Sequence, residues 1–304
     1  MTIFRVEFYD ALRAMLRATD EPLLTDQLAI TSDHNTRARI LRHGIAVSAF
    51  AMLERYVKNV FEHMMKELAQ SAILYSDLPD RLRRFIVVDS VAGLNNGAYF
   101  IRDDVQKIAY IEANIASISL YKDNPPTYTH LGFSPTGSNV GHEDIKKGFS
   151  AFGVQDPWGK LTSLSSMVGS AYLSLADQYK TLSSARNSSA HDPAGNIPTT
   201  TLQSNLMAVI VLGITIDLLG HAVGKAAKLC TDKTKFDAEV NNLAYSIRFL
   251  DEELDGRWSE RASTLGRVIK RYPNRVAGTA SASSRAGNPA IVIRDTSGKP
   301  VSLA

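Results

Sequence analysis

The sequence predicts an all-α protein, an elongated up-and-down helical bundle with additional C-terminal helices and a short C-terminal tail or hairpin. Apolar residues recur at helical spacing from residue 3 to about residue 271. Two of these segments run for 30 or more residues and are joined by a short turn at 192–198, which is typical of a bundle. In addition, no glycine-rich loop follows a strand-like segment, which argues against a dinucleotide-binding or P-loop fold.

The N-terminal part of the chain predicts helices over 3–18, 38–70, 79–92 and 101–121. The strongest pattern belongs to 38–70, where apolar residues mostly stand three or four positions apart and mark one face of a long amphipathic helix. These residues are Leu41, Ile45, Leu53, Val57, Val60, Phe61, Met64 and Leu68. We therefore expect this helix to be a main element of the bundle.

The middle of the chain combines a long loop with two long helices. The segment 122–156 is rich in Pro, Gly, Ser and Asn, so it predicts a mostly irregular insertion with one short helix near 143–152. Asp156-Pro157 then provides an N-cap and a first-turn proline, which begin a predicted helix of roughly 34 residues, about 50 Å long. A second long helix is predicted over 199–228.

The C-terminal part predicts two more helices, over 234–253 and 256–270. The tract 278–289 has few large apolar residues and is interpreted as a flexible linker. The last residues, AIVIRDTSGKPVSL, have a strand–turn–strand pattern. The predicted divisions are an N-terminal helix with its connector (1–35), a helical bundle (36–230), C-terminal helices (231–277), and a linker with a hairpin-like tail (278–304).

The composition excludes several classes of protein. The single Cys230 cannot form an internal disulfide or a cysteine-based zinc cluster, and we expect neither a metal nor a cofactor. The net charge of +3 permits an anionic partner but lacks the excess of a dedicated nucleic-acid coat protein. Glu7 and Asp10 interrupt the apolar stretch that a secretion signal needs, so a cytoplasmic protein is expected.

One apolar stretch, LMAVIVLGITIDLLG at 206–220, raises the question of a membrane span. It contains Asp217 and is shorter than the ~20 apolar residues that cross a bilayer. The sequence therefore predicts a buried core helix at this position and no membrane partner.

Arg186 breaks an apolar pattern. In the helix predicted to begin at Pro157, the apolar face runs through Leu161, Leu164, Val168, Tyr172, Leu175, Tyr179 and Leu182. The next position on that face is Arg186, whose guanidinium must meet a buried partner, extend to solvent, or face a groove shared with another surface. His191 follows five residues later, at the helix end, because Pro193 disfavours a helical Asp192.

A permanent cation close to a titratable imidazole can serve phosphodiester chemistry. The cation neutralises charge on the phosphate oxygens, and the imidazole transfers a proton near neutral pH. RNA carries its own nucleophile, the 2′-hydroxyl group, so its cleavage can proceed without a metal. A purely structural role for Arg186 and His191 is the alternative. A similar pair in the string RARILRH, Arg37 and His43, is interpreted as a solvated helix face.

The string RNSSAH, Arg186 to His191, resembles the motif of the HEPN superfamily, in which an arginine, a polar residue and three variable residues precede a histidine. The helix LRHGIAVSAFAMLERYVKNVFEHMM resembles the first bundle helix of the RiboL-PSP-HEPN-like branch. There an acidic residue follows an apolar run, and Glu54 is the matching residue in this sequence. The resemblance covers roughly residues 36–228.

The resemblance implies a dimeric bundle in which two copies of the motif face one cleft, and a metal-independent endoribonuclease that leaves a 2′,3′-cyclic phosphate. It assigns proton transfer to His191, transition-state stabilisation to Arg186, orientation of the phosphate or the imidazole to Asn187, and support of Arg186 to Glu54. The expected partners are RNA, a second copy of the chain, and an antitoxin or defence-system protein, which matches a toxin or anti-phage effector.

Two alternatives remain open from the sequence. One is a non-catalytic HEPN scaffold that binds nucleotides or a protein and uses the motif for anion binding or dimerisation. The other is a helical structural protein in which Arg186 pairs with Glu54 inside a monomer. Turnover of RNA and the effect of changing Arg186 distinguish these hypotheses from the ribonuclease.

Overall fold

The computed structural model describes residues 2–27, 33–123, 126–133, 139–192, 195–285 and 289–304. The chain forms two compact units, each built from separate stretches of sequence. The sheet unit contains Met1–Tyr56, Leu161–Ile216 and Ser246–Ala304. The helical unit contains Val57–Lys160 and Asp217–Tyr245.

Helices dominate the first four-fifths of the chain. In order they are α1 (Thr2–Ala18), α2 (Asp33–Leu68), α3 (Asp80–Arg84), α4 (Ser90–Tyr99), α5 (Asp104–Ser119), α6 (His142–Ala151), α7 (Pro157–Met167), α8 (Leu175–His191), α9 (Thr199–Lys228) and α10 (Lys233–Asn241). A π-helical turn, Phe85–Asp89, lies between α3 and α4. The predicted helices at 3–18, 38–70, 143–152 and 199–228 are confirmed within a few residues at each end.

The core of the sheet unit is formed partly by aromatic contacts between helices. Phe8 on α1 stacks on Tyr56 of α2 with 4.2 Å between the ring centroids. Phe50, which precedes Tyr56 in α2, contacts Tyr179 of α8 with 5.3 Å between the ring centroids. In α2 the buried residues Phe50, Leu53, Tyr56 and Val60 recur every three or four positions, so this helix buries one continuous stripe.

The helical unit has its own aromatic core. Phe61 on α2 stacks on Phe133 at 4.1 Å and contacts Phe149 of α6 at 4.9 Å between centroids. Gly148 makes this contact feasible, because a Cβ atom at that position would lie 2.6 Å from the Phe61 ring. A glycine in α6 therefore lets an aromatic ring approach the helix backbone.

The prediction of an all-α fold is wrong, because the C-terminal part of the chain contains a five-stranded sheet. Its strands are β1 (Ile247–Glu252), β2 (Trp258–Arg261), β3 (Val268–Tyr272), β4 (Ala290–Arg294) and β5 (Pro300–Leu303). They are ordered β3-β2-β1-β4-β5, with β1 and β4 parallel and the other neighbours antiparallel. The additional C-terminal helices predicted over 234–253 and 256–270 are thus replaced, beyond α10, by strands.

The central strand β1 explains why the spacing of apolar residues predicted a helix at this position. Phe249 and Leu250 point to opposite faces of the sheet, yet both are buried, so the apolar–polar alternation of a half-exposed strand is missing. Asp251 on the same strand accepts hydrogen bonds from Arg261 and Arg294, which lie 10 and 43 residues further along the chain. A charged residue in this position looks like a solvated helix face until its cross-strand partners are known.

The tract interpreted as a flexible linker is mostly a helix, α11 (Arg275–Arg285), while residues 286–288 lie outside the described residues. Its small residues reflect close packing on the sheet. A Cβ atom at Gly278 would lie 2.8 Å from Leu250, and Ala282 is fully buried. The strand–turn–strand prediction for the last residues is confirmed by β4 and β5, although β4 also pairs with β1.

The single helix predicted from Pro157 is two helices, α7 and α8. The break lies at Gly169, whose φ of +89° is a left-handed conformation that favours glycine. Ser174 then caps α8, because its side chain accepts a hydrogen bond from the backbone N–H of Asp177. The predicted helix of roughly 34 residues is therefore interrupted by a backbone turn, and a new helix begins after Ser174, before the motif.

The apolar stretch 206–220 lies within α9, as predicted. In the part of the chain that the structure describes, α9 is the one helix long and apolar enough to span a membrane, but 83% of its most apolar window is buried inside the protein. Asp217 is also fully buried. The prediction of a buried core helix is confirmed.

Candidate functional site

Arg186 lies on the apolar face of α8, where the sequence pattern places it. Tyr179 and Leu182, the preceding residues of that face, are buried, and Arg186 is half-buried. A small cavity beside Arg186 is lined by Phe50 on α2 and Leu206 on α9. The cationic side chain thus extends along an apolar wall built by three helices.

Only some of the hydrogen-bond donors of the Arg186 guanidinium have partners. Its Nη1 donates to Oδ1 of Asn187 over 2.9 Å. Its Nε is buried and has no hydrogen-bond partner among the described residues. Within the same residues Arg186 forms no ion pair with Glu54 or with any other carboxylate. Arg186 therefore keeps an un-neutralised charge and one buried donor without a partner among the described residues.

Asn187 and His191 occupy the exposed side of α8, one helical turn apart. His191 is the last residue of the helix, next to the carbonyl groups of its C-terminal turn. Its side chain makes no hydrogen bond to another described residue. A single chain therefore joins Arg186 to Asn187 but leaves His191 open to solvent or to a second molecule.

Glu54 is buried on α2, one helical turn beyond Phe50. Among the described residues Glu54 forms no ion pair with Arg186. Its supporting role stays a prediction.

The site also contains Arg42 and His43 on α2, neither of which the sequence pattern indicated as a site residue. Arg42 is fully buried and donates to the Leu24 carbonyl oxygen at 2.6 Å, to the Asp26 carboxylate at 2.9 Å and to Oδ1 of Asn196 at 2.8 Å. His43 is 7% exposed, and its Nε2 bonds to the carbonyl oxygen of Gly195 over 2.8 Å. Together they anchor the segment that directly follows the motif.

The interpretation of Arg37 and His43 as a solvated face is therefore wrong for His43. Arg37 is exposed and pairs with Asp33, as a solvated residue does. Arg42, in contrast, continues the buried stripe that includes Ala38 and Leu53. The reasoning that singled out Arg186, a charge on an apolar face, would have found Arg42 as well.

A cavity of about 160 Å³ opens where α8 ends. Its wall combines His43 from α2, Ser188 from α8, Asp192 directly after that helix, and Asn205 from α9. Asn205 also lines the small cavity beside Arg186, so the two spaces are neighbours. The end of the motif helix thus adjoins both the cavity beside Arg186 and a recess lined by polar and apolar residues.

Comparison with protein families supports the family resemblance. A family model described as RiboL-PSP-HEPN matches residues 18–213, which is more than half of the chain. The match includes α2, α8 and the motif, and it ends before the C-terminal sheet. Comparisons with curated proteins and with solved structures gave no match.

Proposed function

The chain belongs to the RiboL-PSP-HEPN family, and from this premise we propose that it is an endoribonuclease that needs no metal. Attack of the RNA 2′-hydroxyl group on the adjacent phosphate would leave a 2′,3′-cyclic phosphate. The observation that carries the proposal is Arg186, a half-buried cation without an ion pair, at the arginine position of the family's motif. Family and fold alone would not assign the activity.

The proposed reaction uses the side chains of the motif in separate roles. The 2′-oxygen loses its proton and bonds to phosphorus, while the bond from phosphorus to the 5′-oxygen breaks and that oxygen gains a proton. His191 performs proton transfer at one of these oxygens. Arg186 stabilises the charge on the non-bridging oxygens, and Asn187 holds the guanidinium through the 2.9 Å hydrogen bond.

A second copy of the chain completes the site in this proposal. Asn187 and His191 are exposed on one face of α8, so a two-fold axis along that face brings two motifs together. Two facing arginines repel each other unless an anion lies between them, which favours a phosphate in the cleft. By resemblance to its family we propose a cytoplasmic toxin or anti-phage effector, held in check by an antitoxin or a defence-system protein.

Cleavage of a mixed RNA pool in the presence of EDTA tests the proposal. His191→Ala and Arg186→Ala should each lower the rate by roughly 100-fold or more, since each removes proton transfer or charge stabilisation. Lys180→Ala is the matched control, because Lys180 lies exposed on the same helix and pairs only with Asp177. Equal cleavage by all four proteins would remove the motif from the mechanism.

A non-catalytic anion-binding scaffold is the second candidate. It is favoured by the His191 side chain, which makes no hydrogen bond to Arg186 or Asn187 among the described residues, whereas Arg186 already donates to Oδ1 of Asn187. In this case no RNA would be cleaved. Arg186→Ala would still weaken nucleotide binding or dimerisation, as measured by calorimetry and sedimentation.

A further inference from the structure

The two edge strands of the sheet have different surroundings. At one edge, β5 packs against α1. At the other edge, β3 pairs with β2 on one side and has no strand on its other side among the described residues. Helix α11 packs against β3, yet Ile269, Lys270 and Arg271 are all exposed. An edge strand of this kind presents unpaired backbone N–H and C=O groups to solvent.

The exposed edge is basic. Arg267, directly before β3, and Lys270 are exposed and form no ion pair with a described residue. Arg271 lies 3.8 Å from a carboxylate oxygen of Glu253, but its side chain is 56% exposed, so this ion pair is weak. Of the 34 basic and 31 acidic residues of the chain, ten and six lie in 246–304, which leaves 24 and 25 for the rest. The positive balance of the chain therefore comes from this C-terminal segment.

Large apolar side chains accompany these charges. Ile269 is 46% exposed in the middle of the strand, and Leu265 and Val276, which precede and follow it, are 97% and 78% exposed. Charged residues on an edge strand normally prevent it from pairing with other strands. Here the charged residues of the edge are all positive, and like charges directly opposite each other destabilise a strand pair. The edge therefore repels a second copy of itself but accepts a strand of opposite charge.

A protein strand fits this edge better than RNA does. The backbone groups of an edge strand pair with those of an added strand, and the side chains of alternate residues give specificity. Sheets that bind RNA instead present aromatic rings on which the bases stack. The aromatic residues of β2 and β3 are Trp258, which is half-buried, and Tyr272, which is buried. These two strands thus offer a row of backbone hydrogen-bonding groups and no exposed ring.

We propose that the free edge of β3 binds an extended acidic segment of a partner protein, which adds a strand to the sheet. Carboxylates of the added strand face Lys270 and Arg271, and an apolar side chain packs beside Ile269. Because residues 270 and 271 point to opposite faces of the sheet, acidic residues are required on both faces of the added strand. The inference does not depend on the proposed ribonuclease activity, since binding is measured without RNA turnover.

Fluorescence anisotropy of the labelled peptide SVEEVEEVTS with the full chain tests this surface. The peptide should bind, and the double variant Lys270→Glu, Arg271→Glu should weaken binding by about tenfold or more, because each reversed charge faces a carboxylate. Lys299→Glu is the matched control. It changes an exposed lysine next to β5, at the opposite edge of the same sheet, and should alter the affinity by less than about twofold. Absence of binding up to about 1 mM peptide, or equal binding by the double variant, overturns the proposal.

Backbone pairing is tested on the natural chain, where no substitution can disturb folding. Successive N–H groups of a strand point to alternate sides, so two peptides are used, N-methylated at the odd or at the even positions. One of them should bind about tenfold more weakly, and the other should keep its affinity. Equal binding by both peptides would exclude an added strand. Labelled oligouridylate is the RNA control. If it binds in place of the peptide, and the double variant loses it, the edge binds RNA and the proposal fails.

Discussion

Replacing Arg42 with methionine should loosen the segment that follows the candidate site. The buried guanidinium donates to the carbonyl oxygen of Leu24 at 2.6 Å, to both Asp26 carboxylate oxygens at 2.9 and 3.2 Å, and to Oδ1 of Asn196 at 2.8 Å. Methionine is unbranched and flexible, so it fills much of the same space. The change therefore removes the hydrogen bonds with little loss of packing.

The expected loss of unfolding free energy is about 3 kcal/mol. Removing one partner of a buried ion pair costs about 3–5 kcal/mol, and hydrogen bonds to charged groups contribute about 1.5–3 kcal/mol each. The lower end applies here for two reasons. The Asp26 side chain is 43% exposed and regains water, and Leu24 still accepts a hydrogen bond from Oγ1 of Thr199 at 3.2 Å.

Urea unfolding, combined with hydrogen exchange of the peptide 195–205, measures this loss. Arg37→Met is the matched control, since it removes an exposed arginine from the same helix and should cost less than about 1 kcal/mol. Exchange in the segment 195–198 should accelerate only in Arg42→Met. If both variants unfold at the same urea concentration with equal exchange, the buried network does not anchor this segment.

Three further predictions concern the other parts of the chain. Gly93→Ala should cost about 1–3 kcal/mol by thermal unfolding, because its Cβ would lie 2.0 Å from a backbone oxygen, whereas Gly44→Ala, with open space around it, should stabilise by about 0.5–1 kcal/mol. Reversed signs would contradict the packing. Burial raises the pKa of Cys230 to about 11, so at pH 8 roughly one thiol in 10³ is ionised and a disulfide reagent should react only after unfolding. Rapid labelling of the native protein would refute this. Burial lowers the pKa of His130 below 6.5, so on acidification the imidazole is protonated in the unfolded chain before it is protonated in the folded protein. The free energy of unfolding should therefore fall as the pH drops below 6.5, whereas His130 contributes no pH dependence above that value. His130→Gln should reduce this slope, and an unchanged slope would exclude His130 as its source.

The helices of the candidate site could be predicted because their pattern is local. In α2, α8 and α9 one face is apolar every three or four residues, and the positions of Arg186 and His191 on α8 follow from that period and from Pro193. The break before α8 was harder to find. It depends on the left-handed backbone of Gly169 and on the cap at Ser174, which a continuous apolar stripe conceals.

The sheet could not be predicted, because its pairings join distant parts of the chain. Strand β1 pairs in parallel with β4, and Asp251 is stabilised by Arg294 across that pairing. Nothing within ten residues of Asp251 shows that Arg294 will lie beside it. Close packing likewise hides α11 from the sequence pattern. Small residues such as Gly278 are typical of a linker, and only the contact with Leu250 of β1 shows why a small residue is needed there.

By itself the sequence determined the helical majority of the chain, the family to which it belongs, and the charged residue that interrupts the apolar face of α8. Each of these depends on the order of neighbouring residues, which periodicity and a short motif describe. Only the tertiary structure decided that Arg42 and His43 are buried beside the motif, that Arg186 forms no ion pair with Glu54 among the described residues, and that a recess opens at the end of α8. A side chain becomes buried and acquires its partners when segments distant in sequence pack together and exclude water, so no local sequence pattern predicts these contacts.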